Sequence, residues 1–266
     1  MIELIPLIIL LAFIFETMDS CAGMGFGTGL TPLLFVLGYN PLQVVPILLI
    51  SEAITGFTAG IFHHEFENVK FSIIRPINKE TKIMLMMAGI GCIAIIFSVF
   101  LAYFAIKFDK DLIKAYVGIL VLAMGFIGMI KLKNRSKKFR PKLLTSLSAL
   151  AGFNKGIGAG GYGPVIMMGQ IFSGIYEKTA TAIVSLSEGI VSVAGVASFF
   201  LMPYITGISA EIDFYLLPSI FTGGFIAAII SPYLVRVFPN KIWRIVIPVY
   251  AIAMGILTIF KVYGVF

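Results

Sequence analysis

Charged residues are scarce in this sequence, and no long polar stretch separates its apolar segments. Only 12% of its 266 residues are charged, whereas 59% are hydrophobic and the mean hydropathy is +1.02. Soluble domains average about 25% charged residues, so this composition cannot cover a water-soluble globule of such size. The sequence therefore predicts an all-α, multi-pass protein of the cytoplasmic membrane, in which lipid replaces water as the main solvent.

Cysteine is also rare, and the sequence shows no motif for catalysis or for a cofactor. Cys21 and Cys92 are too few for a disulfide framework. The Gly-rich string 156–161 has neither a preceding strand nor an acidic ribose partner, which excludes a dinucleotide-binding loop. No Ser-His-Asp, Cys-His or HExxH arrangement is present. We therefore expect no enzymatic activity, no cofactor and no metal site.

The net charge of +7 is distributed in short segments between apolar runs. The strongest cluster, 131–142, contains seven Lys or Arg residues and no acid. Short basic loops are typical of the cytoplasmic side of membrane proteins, and this pattern argues against nucleic acid as a partner. Residues 134–142 are therefore predicted to be a basic cytoplasmic linker, and the lipid bilayer is the expected partner.

Six apolar runs are long enough to span a membrane, because a hydrocarbon core of about 30 Å requires about 20 helical residues. They cover residues 42–62, 83–106, 112–130, 179–202, 214–236 and 242–263. Two further apolar regions, 2–37 and 143–172, are interrupted by Gly-rich tips at 23–32 and 156–164. Glycine is a poor helix former and proline favours a first helical turn. We therefore expect each region to form two arms of about a dozen residues or fewer, joined by an extended tip.

The two halves of the chain resemble each other. Gly29 and Pro32 align with Gly161 and Pro164, and Ser51-Glu52 aligns with Ser187-Glu188. The sequence thus predicts tandem repeats at 1–133 and 143–266, each with one Gly-rich re-entrant hairpin or broken helix plus three transmembrane helices. The distribution of basic loops favours an odd number of crossings per repeat, and therefore inverted repeats. Eight full spans that include two broken helices are the alternative.

The two tips are the first part of a predicted substrate site. Irregular backbone inside a membrane is stable only where protein covers it or water reaches it, and paired breaks are typical of transporter sites. Short helices that begin at Thr31-Pro32 and Gly163-Pro164 would direct free N–H groups and positive dipole ends at an anion. The predicted substrate-binding residues in the tips are Gly27, Gly29, Thr31, Gly160, Gly161 and Gly163. Tight helix crossing is the alternative explanation of these glycines.

Charged residues within the apolar regions form the second part of the site. Asn154 and Lys155 open the second tip, where the cation would neutralise a substrate, unless it reaches the lipid headgroups instead. Glu52 and Glu188 occupy matching positions in the two halves. Carboxyl groups inside a membrane can carry protons, so both are predicted to couple or gate transport, or alternatively to brace the tips.

Ser51 and Ser187 are predicted hydrogen-bond donors to the substrate, although serine in a membrane helix often bonds its own backbone. Asp19 is predicted to contribute to coupling. Asp19 and its neighbour Glu16 precede the first tip, where they would be solvated at the hairpin mouth, bind Na⁺, or pair with Lys155. The sequence leaves these three roles open.

Taken together, these segments resemble the TauE/SafE sulfite exporter family, also called the toluene-sulfonate uptake permeases. The resemblance covers nearly the whole chain and rests on the Gly-rich tips and on these positions: Pro32, Pro164, Gly38, Gly169, Ser51, Ser187, Asn68-Val69 and Ile212-Asp213-Phe214. It implies a duplicated membrane domain that transports sulfite, sulfonates, sulfoacetate or similar anions without a prosthetic group. This chain departs from the family in having Glu52 and Glu188 where leucine is usual, and Lys155 where small or apolar residues are common.

The predicted function is secondary transport of a small sulfur-containing anion, with alternating access produced as one repeat rocks against the other. An anion channel would use the same dipole arrangement, and a membrane enzyme or sensor subunit is a further alternative. Gly56 and Gly60 form a small-residue pattern that suits either a homodimer or packing within one chain.

Overall fold

The computed structural model describes residues 4–72, 74–104, 110–130, 139–207 and 212–263, and all regular structure within them is helical. The first half contains α1 (Pro6–Ala22), a π-helical segment (Phe26–Leu30), α2 (Thr31–Val36), α3 (Pro41–Glu65), α4 (Lys79–Phe104) and α5 (Lys110–Ile130). The second half contains α6 (Pro141–Gly158), α7 (Tyr162–Phe172), α8 (Glu177–Thr206), α9 (Leu217–Val237) and α10 (Asn240–Val262). The predicted all-helical class is confirmed.

The six predicted spanning runs coincide with α3, α4, α5, α8, α9 and α10. By length and composition, four described stretches can cross a membrane: Gln43–Glu65, Lys79–Tyr103, Glu177–Thr206 and Leu217–Val237. Shorter apolar stretches lie in α5 and α10, at Gly118–Ile130 and Pro248–Phe260. Large apolar side chains such as Ile93, which is 73% exposed, point outward from this bundle. A hydrophobic outer surface suits lipid, and the membrane location is thereby supported.

The first arms of the two broken regions are longer than expected. α1 has 17 residues and α6 has 18, which corresponds to about 25 Å of helix each. The prediction of arms of a dozen residues or fewer is therefore wrong for these two, and it holds for α2 and α7. Each first arm continues to a residue with left-handed backbone, Gly23 (φ 67°) or Ala159 (φ 52°), which ends the helix.

Landmarks of the two halves recur 136 residues apart. The first residues of α3 and α8, Pro41 and Glu177, have this spacing. The left-handed residues Gly23 and Ala159 after the first arms have it too, and so do Gly38 and Gly174 after the second arms. The backbone of the two broken regions therefore follows the same course in both halves.

This spacing corrects the register of the two tips. Gly25 precedes the first tip helix as Gly161 precedes the second. The alignment of Gly29 with Gly161, in which the two are 132 residues apart, is therefore wrong by one helical turn. The error arose because glycine occurs several times within each tip, so that residue identity alone does not fix which glycines correspond.

The broken regions pack across the two halves of the chain. α1 lies along α9, where the Ile5 N–H donates to Ser219 Oγ at 2.8 Å. α6 lies along α4, where Ser98 Oγ donates to the Phe153 carbonyl. Each first arm thus packs against a long helix from the other half, so the two halves of the sequence are intertwined rather than side by side.

α3 and α8 cross in antiparallel directions at the centre of the bundle. Gly60 lies against Leu186, and a Cβ at Gly56 would be 2.8 Å from the Gly189 Cα. α5 and α10 form a second antiparallel pair. Glycines at the α3–α8 crossing allow the backbones to approach closely. Gly56 and Gly60 therefore pack within one chain, and a homodimer stays a prediction.

We expect Gly56→Val to destabilise the protein by about 1–3 kcal/mol, because the new side chain would collide with backbone atoms of α8. Gly89→Val in α4 is the matched control, since no atom lies within 4 Å of a Cβ at Gly89. Both substitutions replace a glycine within a helix, so they share the same change in helix propensity. Thermal unfolding in detergent measures the difference, and equal melting temperatures would contradict the close crossing.

Candidate functional site

Every residue of the predicted site is buried in the structure, and the two tips touch each other. A Cβ on Gly27 of the first tip would be 2.0 Å from the Ala159 carbonyl oxygen of the second. A Cβ on Gly163 would be 2.3 Å from the Gly23 carbonyl oxygen. Glycine is required at both contacts because a side chain would collide with backbone. The closed contact places the functional groups of both halves in one enclosed region.

Lys155 lies at the centre of this region, in the last turn of α6. Its Nζ is 2.5 Å from Oε2 of Glu52 on α3 and 2.7 Å from Oε1 of Glu188 on α8. The exposed fractions of Lys155, Glu52 and Glu188 are 0%, 2% and 4%. A buried charge is tolerated when it is paired and hydrogen-bonded, which these contacts provide. Lys155 therefore does not reach the lipid headgroups.

The two carboxylates keep one oxygen each outside the ion pairs. Glu188 Oε2 has no hydrogen-bond partner among the described residues, whereas the Glu52 carboxylate also faces the backbone N–H of Gly27 in the first tip. The ring of Tyr162 lies beneath the ammonium group, with its centroid 5.5 Å from Nζ, and its hydroxyl donates to Ser187 Oγ at 3.3 Å. With both carboxylates ionised the triad has a net charge of −1. An anion would therefore meet local repulsion here unless a proton also binds.

Asp19 takes in α1 the position that Lys155 takes in α6. The N–H of the left-handed residue that ends each arm donates to its carbonyl: Gly23 to Asp19 at 2.6 Å, and Ala159 to Lys155 at 2.9 Å. Asp19 Oδ1 accepts the backbone N–H of Phe26, the first residue of the π-helical segment, at 3.3 Å. A carboxylate of the protein itself thus caps the first tip helix.

The start of helical backbone in the first tip also differs from expectation. α2 begins at Thr31, as the sequence indicates, but Leu30 before it already has helical angles (φ −69°, ψ −37°). The π-helical segment and α2 are therefore continuous, and the helical N-terminus lies at Phe26 rather than at Thr31. The hydroxyl of Thr31 has no hydrogen-bond partner among the described residues.

The second tip has a glycine at the position before its helix. α7 begins at Tyr162 after Gly161, whose backbone is left-handed (φ 85°) and which has no side chain to cap the helix. The Gly161 N–H reaches Thr28 Oγ1 only at 3.5 Å. Near this end lies Asn154, whose Oδ1 accepts the hydroxyl of Tyr116. The short helix of this tip thus begins one residue earlier than Gly163, where the sequence predicts its start.

The remaining predicted residues lie around this centre in different settings. Glu16 is buried and accepts the hydroxyls of Ser20 at 2.7 Å and Thr55 at 3.2 Å. Solvation of Glu16 and Asp19 at a hairpin mouth, and their pairing with Lys155, are therefore wrong for this structure. Ser187 Oγ also donates to a carbonyl of its own helix, as serine commonly does.

Two predicted positions do not contact the Lys155 triad. A Cβ on Gly29 would collide with the hydroxyl of Tyr250, so this glycine makes room for α10. Ser51 Oγ has no hydrogen-bond partner among the described residues and lies near Gly224 of α9. In the part of the chain that the structure describes, no group of three His, Cys, Asp or Glu residues is arranged to hold a metal ion.

Sequence reasoning missed the two tyrosines that complete the site. Tyr162 lies within the second Gly-rich tip, 156–164, so its position in the sequence could have identified it as a residue of the site. Tyr116 lies on α5 outside any motif, and only the packing of α5 against the tip brings it to Asn154.

Comparison with known proteins shows which family the chain resembles. A family model described as Sulfite exporter TauE/SafE matches residues 8–258. The relative named "Probable membrane transporter protein YtnM", from Bacillus subtilis (strain 168), is 26% identical over 244 residues, which cover 87% of this chain and 75% of the relative. Both the tips and the Lys155 triad fall within the residues that the family model matches.

We expect Lys155→Met to destabilise the protein by about 3–5 kcal/mol, because it leaves Glu52 and Glu188 buried without their cation. The double variant Lys155→Met/Glu188→Gln should recover part of this loss of stability, since only one carboxylate of the triad, that of Glu52, then remains. Lys178→Met is the control, because the Lys178 ammonium is bonded to an exposed carbonyl of Arg236. Thermal unfolding in detergent is the measurement, and a wild-type melting temperature for Lys155→Met would contradict the buried ion pairs.

Proposed function

Because the chain belongs to the TauE/SafE sulfite exporter family, and is thus a membrane transporter rather than an enzyme, we propose that it carries a small sulfur-containing anion across the cytoplasmic membrane. Sulfite, a sulfonate and sulfoacetate are the expected substrates. The observation that carries the proposal is the meeting of two Gly-rich tips around one buried cation, Lys155. A site fully enclosed by protein suits a carrier that opens to one side at a time, whereas a channel requires a continuous path.

The substrate binds where the tips meet. Backbone N–H groups at a helix N-terminus favour an anion, and the ammonium of Lys155 supplies the positive charge nearby. The residues proposed to surround the substrate are Gly27, Gly29, Thr31, Ser51, Asn154, Lys155, Gly160, Gly161, Gly163 and Ser187. Their burial supports this assignment, because hydrogen bonds to an anion are strongest where water is excluded.

Proton coupling follows from the charge of the triad. When Glu52 or Glu188 takes up a proton, its ion pair with Lys155 weakens and the ammonium becomes available to the anion. When the proton leaves, the carboxylate competes again for Lys155 and displaces the substrate. Asp19 lies in the same enclosed region and is proposed to contribute to this coupling. Acidification on the side from which the anion enters should therefore promote its binding.

We further propose that the two halves are inverted repeats at 1–133 and 143–266, joined by the linker 134–142. The spacing of 136 residues between landmarks supports a repeat. The antiparallel pairing of α3 with α8 and of α5 with α10 supports inversion, because each pair joins helices from equivalent places in the two halves. Inverted repeats of this kind offer two related conformations that open to opposite sides.

We expect the purified protein in liposomes to take up labelled sulfite in a saturable manner, and faster when the outside is more acidic. At least one of the variants Glu52→Gln and Glu188→Gln should lose this stimulation, because the amide cannot take up the coupling proton. Glu67→Gln is the control, since the Glu67 side chain is 62% exposed and lies outside the site. Stimulation that persists in both Glu52→Gln and Glu188→Gln would refute coupling through the triad.

The inverted arrangement predicts that the α2–α3 and α7–α8 connections lie on opposite sides of the membrane. Tyr39→Cys and Tyr176→Cys place one thiol in each connection. In cells, a membrane-impermeant maleimide should label one of the two variants from outside and leave the other unlabelled. The wild type, with Cys21 in α1 and Cys92 in α4, gives the background. Labelling of both variants from outside would contradict the inversion.

A further inference from the structure

The two tips have similar backbone but are capped differently. In the first tip, Asp19 accepts the N–H of Phe26 and so places a carboxylate at the helical N-terminus. In the second tip, the residue before α7 is Gly161, which has no side chain to cap the helix, and its N–H meets the Thr28 hydroxyl at 3.5 Å, although Gly161 and Tyr162 are buried. The first N–H groups of a helix have no partner within it, and in a buried position such groups require an acceptor.

Asn154 supplies a second, independent sign that an acceptor binds at the second tip. It is 1% exposed, and its Nδ2 has no hydrogen-bond partner among the described residues. This nitrogen is 3.6 Å from the position that a Cβ on Gly161 would take, so the amide donor lies directly beside the start of α7. A buried N–H₂ group without an acceptor is costly, and a ligand oxygen would satisfy it.

Tyr116 holds this amide in place. Its hydroxyl donates to Asn154 Oδ1, which occupies the acceptor side of the amide and leaves the N–H₂ side for the tip. Lys155 follows Asn154 on α6, about 100° further around the helix, and its side chain is directed instead to Glu52 and Glu188. The two neighbouring side chains therefore serve different partners.

We propose that the substrate oxyanion binds at the N-terminus of α7, with one of its oxygens accepting a hydrogen bond from Asn154 Nδ2. Tyr116 is a positioning residue that orients the Asn154 amide. The inference rests on the proposed function and narrows the position of the substrate-binding site to the second tip. The donors are neutral N–H groups, which select a ligand with exposed hydrogen-bonding oxygens, such as a sulfite or a sulfonate group. Lys155 lies beside this site, and its ammonium becomes available to the bound anion when Glu52 or Glu188 takes up a proton.

The test uses uptake of labelled sulfite by liposomes that contain the full chain. Asn154→Ala should raise the half-saturation concentration about ten- to hundredfold, as expected when a hydrogen bond to a charged group is lost. Asn154→Asp should abolish saturable uptake, because a carboxylate would repel the anion. Tyr116→Phe, which keeps Asn154, should raise the half-saturation concentration about three- to tenfold.

A double variant separates positioning from simple packing. If Tyr116 acts through Asn154, Asn154→Ala/Tyr116→Phe should equal Asn154→Ala alone, whereas additive effects would refute the positioning role. Tyr103→Phe is the matched control: it removes a tyrosine hydrogen bond, to the Phe199 carbonyl at 3.1 Å, and should leave the half-saturation concentration unchanged. Melting temperatures of all variants show whether folding is retained.

The outcomes distinguish this inference from the proposed function. Sulfite uptake by the wild type, with an unchanged half-saturation concentration in Asn154→Ala and Tyr116→Phe, would overturn the second-tip site alone. Absence of sulfite uptake by folded wild-type protein would overturn both. The expected pattern, with two sensitive single variants, a non-additive double variant and an insensitive Tyr103→Phe, would establish the site.

Discussion

The ammonium group of Lys155 joins α6 to α3 and α8 through its ion pairs with Glu52 and Glu188. In an apolar interior neither the cation nor the two carboxylates is stable alone, so all three helices have to meet at this point. The close contact of the tips depends on the same meeting, because the glycines bring the backbones to where the triad forms. A ligand that replaced a carboxylate at Lys155 would therefore also alter how the three helices are held together.

The two tips have similar backbone but are preceded by residues of opposite charge. Asp19 and Lys155 each lie four residues before the left-handed residue that ends an arm. Asp19 accepts the N–H of Phe26 in the first tip, whereas the ammonium group of Lys155 cannot accept a hydrogen bond. The first tip contacts the second through backbone atoms. In the proposed mechanism the second tip receives the anion, while the carboxylates around Lys155 respond to protons. In that mechanism the two tips together provide one site rather than two.

The sequence predicts the six long helices and the two breaks, because the length of an apolar run and the positions of glycine and proline determine the local backbone structure. It does not predict the partners of Lys155, which depend on the crossing of α3 and α8 far along the chain. The register of the tips was misread because repeated glycines allow several alignments, and helix ends, not residue identity, fix the correct one. The capping of Phe26 by Asp19 was missed because a π-helical segment shifts the helix start by about one turn.

The packing of α1 against α9 has a consequence for biosynthesis. α1 is made well before α9, and α1 carries the buried Glu16 and Asp19. Until α3 and α9 have been inserted, these carboxyl groups lack the surroundings that make their burial tolerable. α1 can therefore reach its final place only after α9 has been made, so that a helix synthesised early is assembled late.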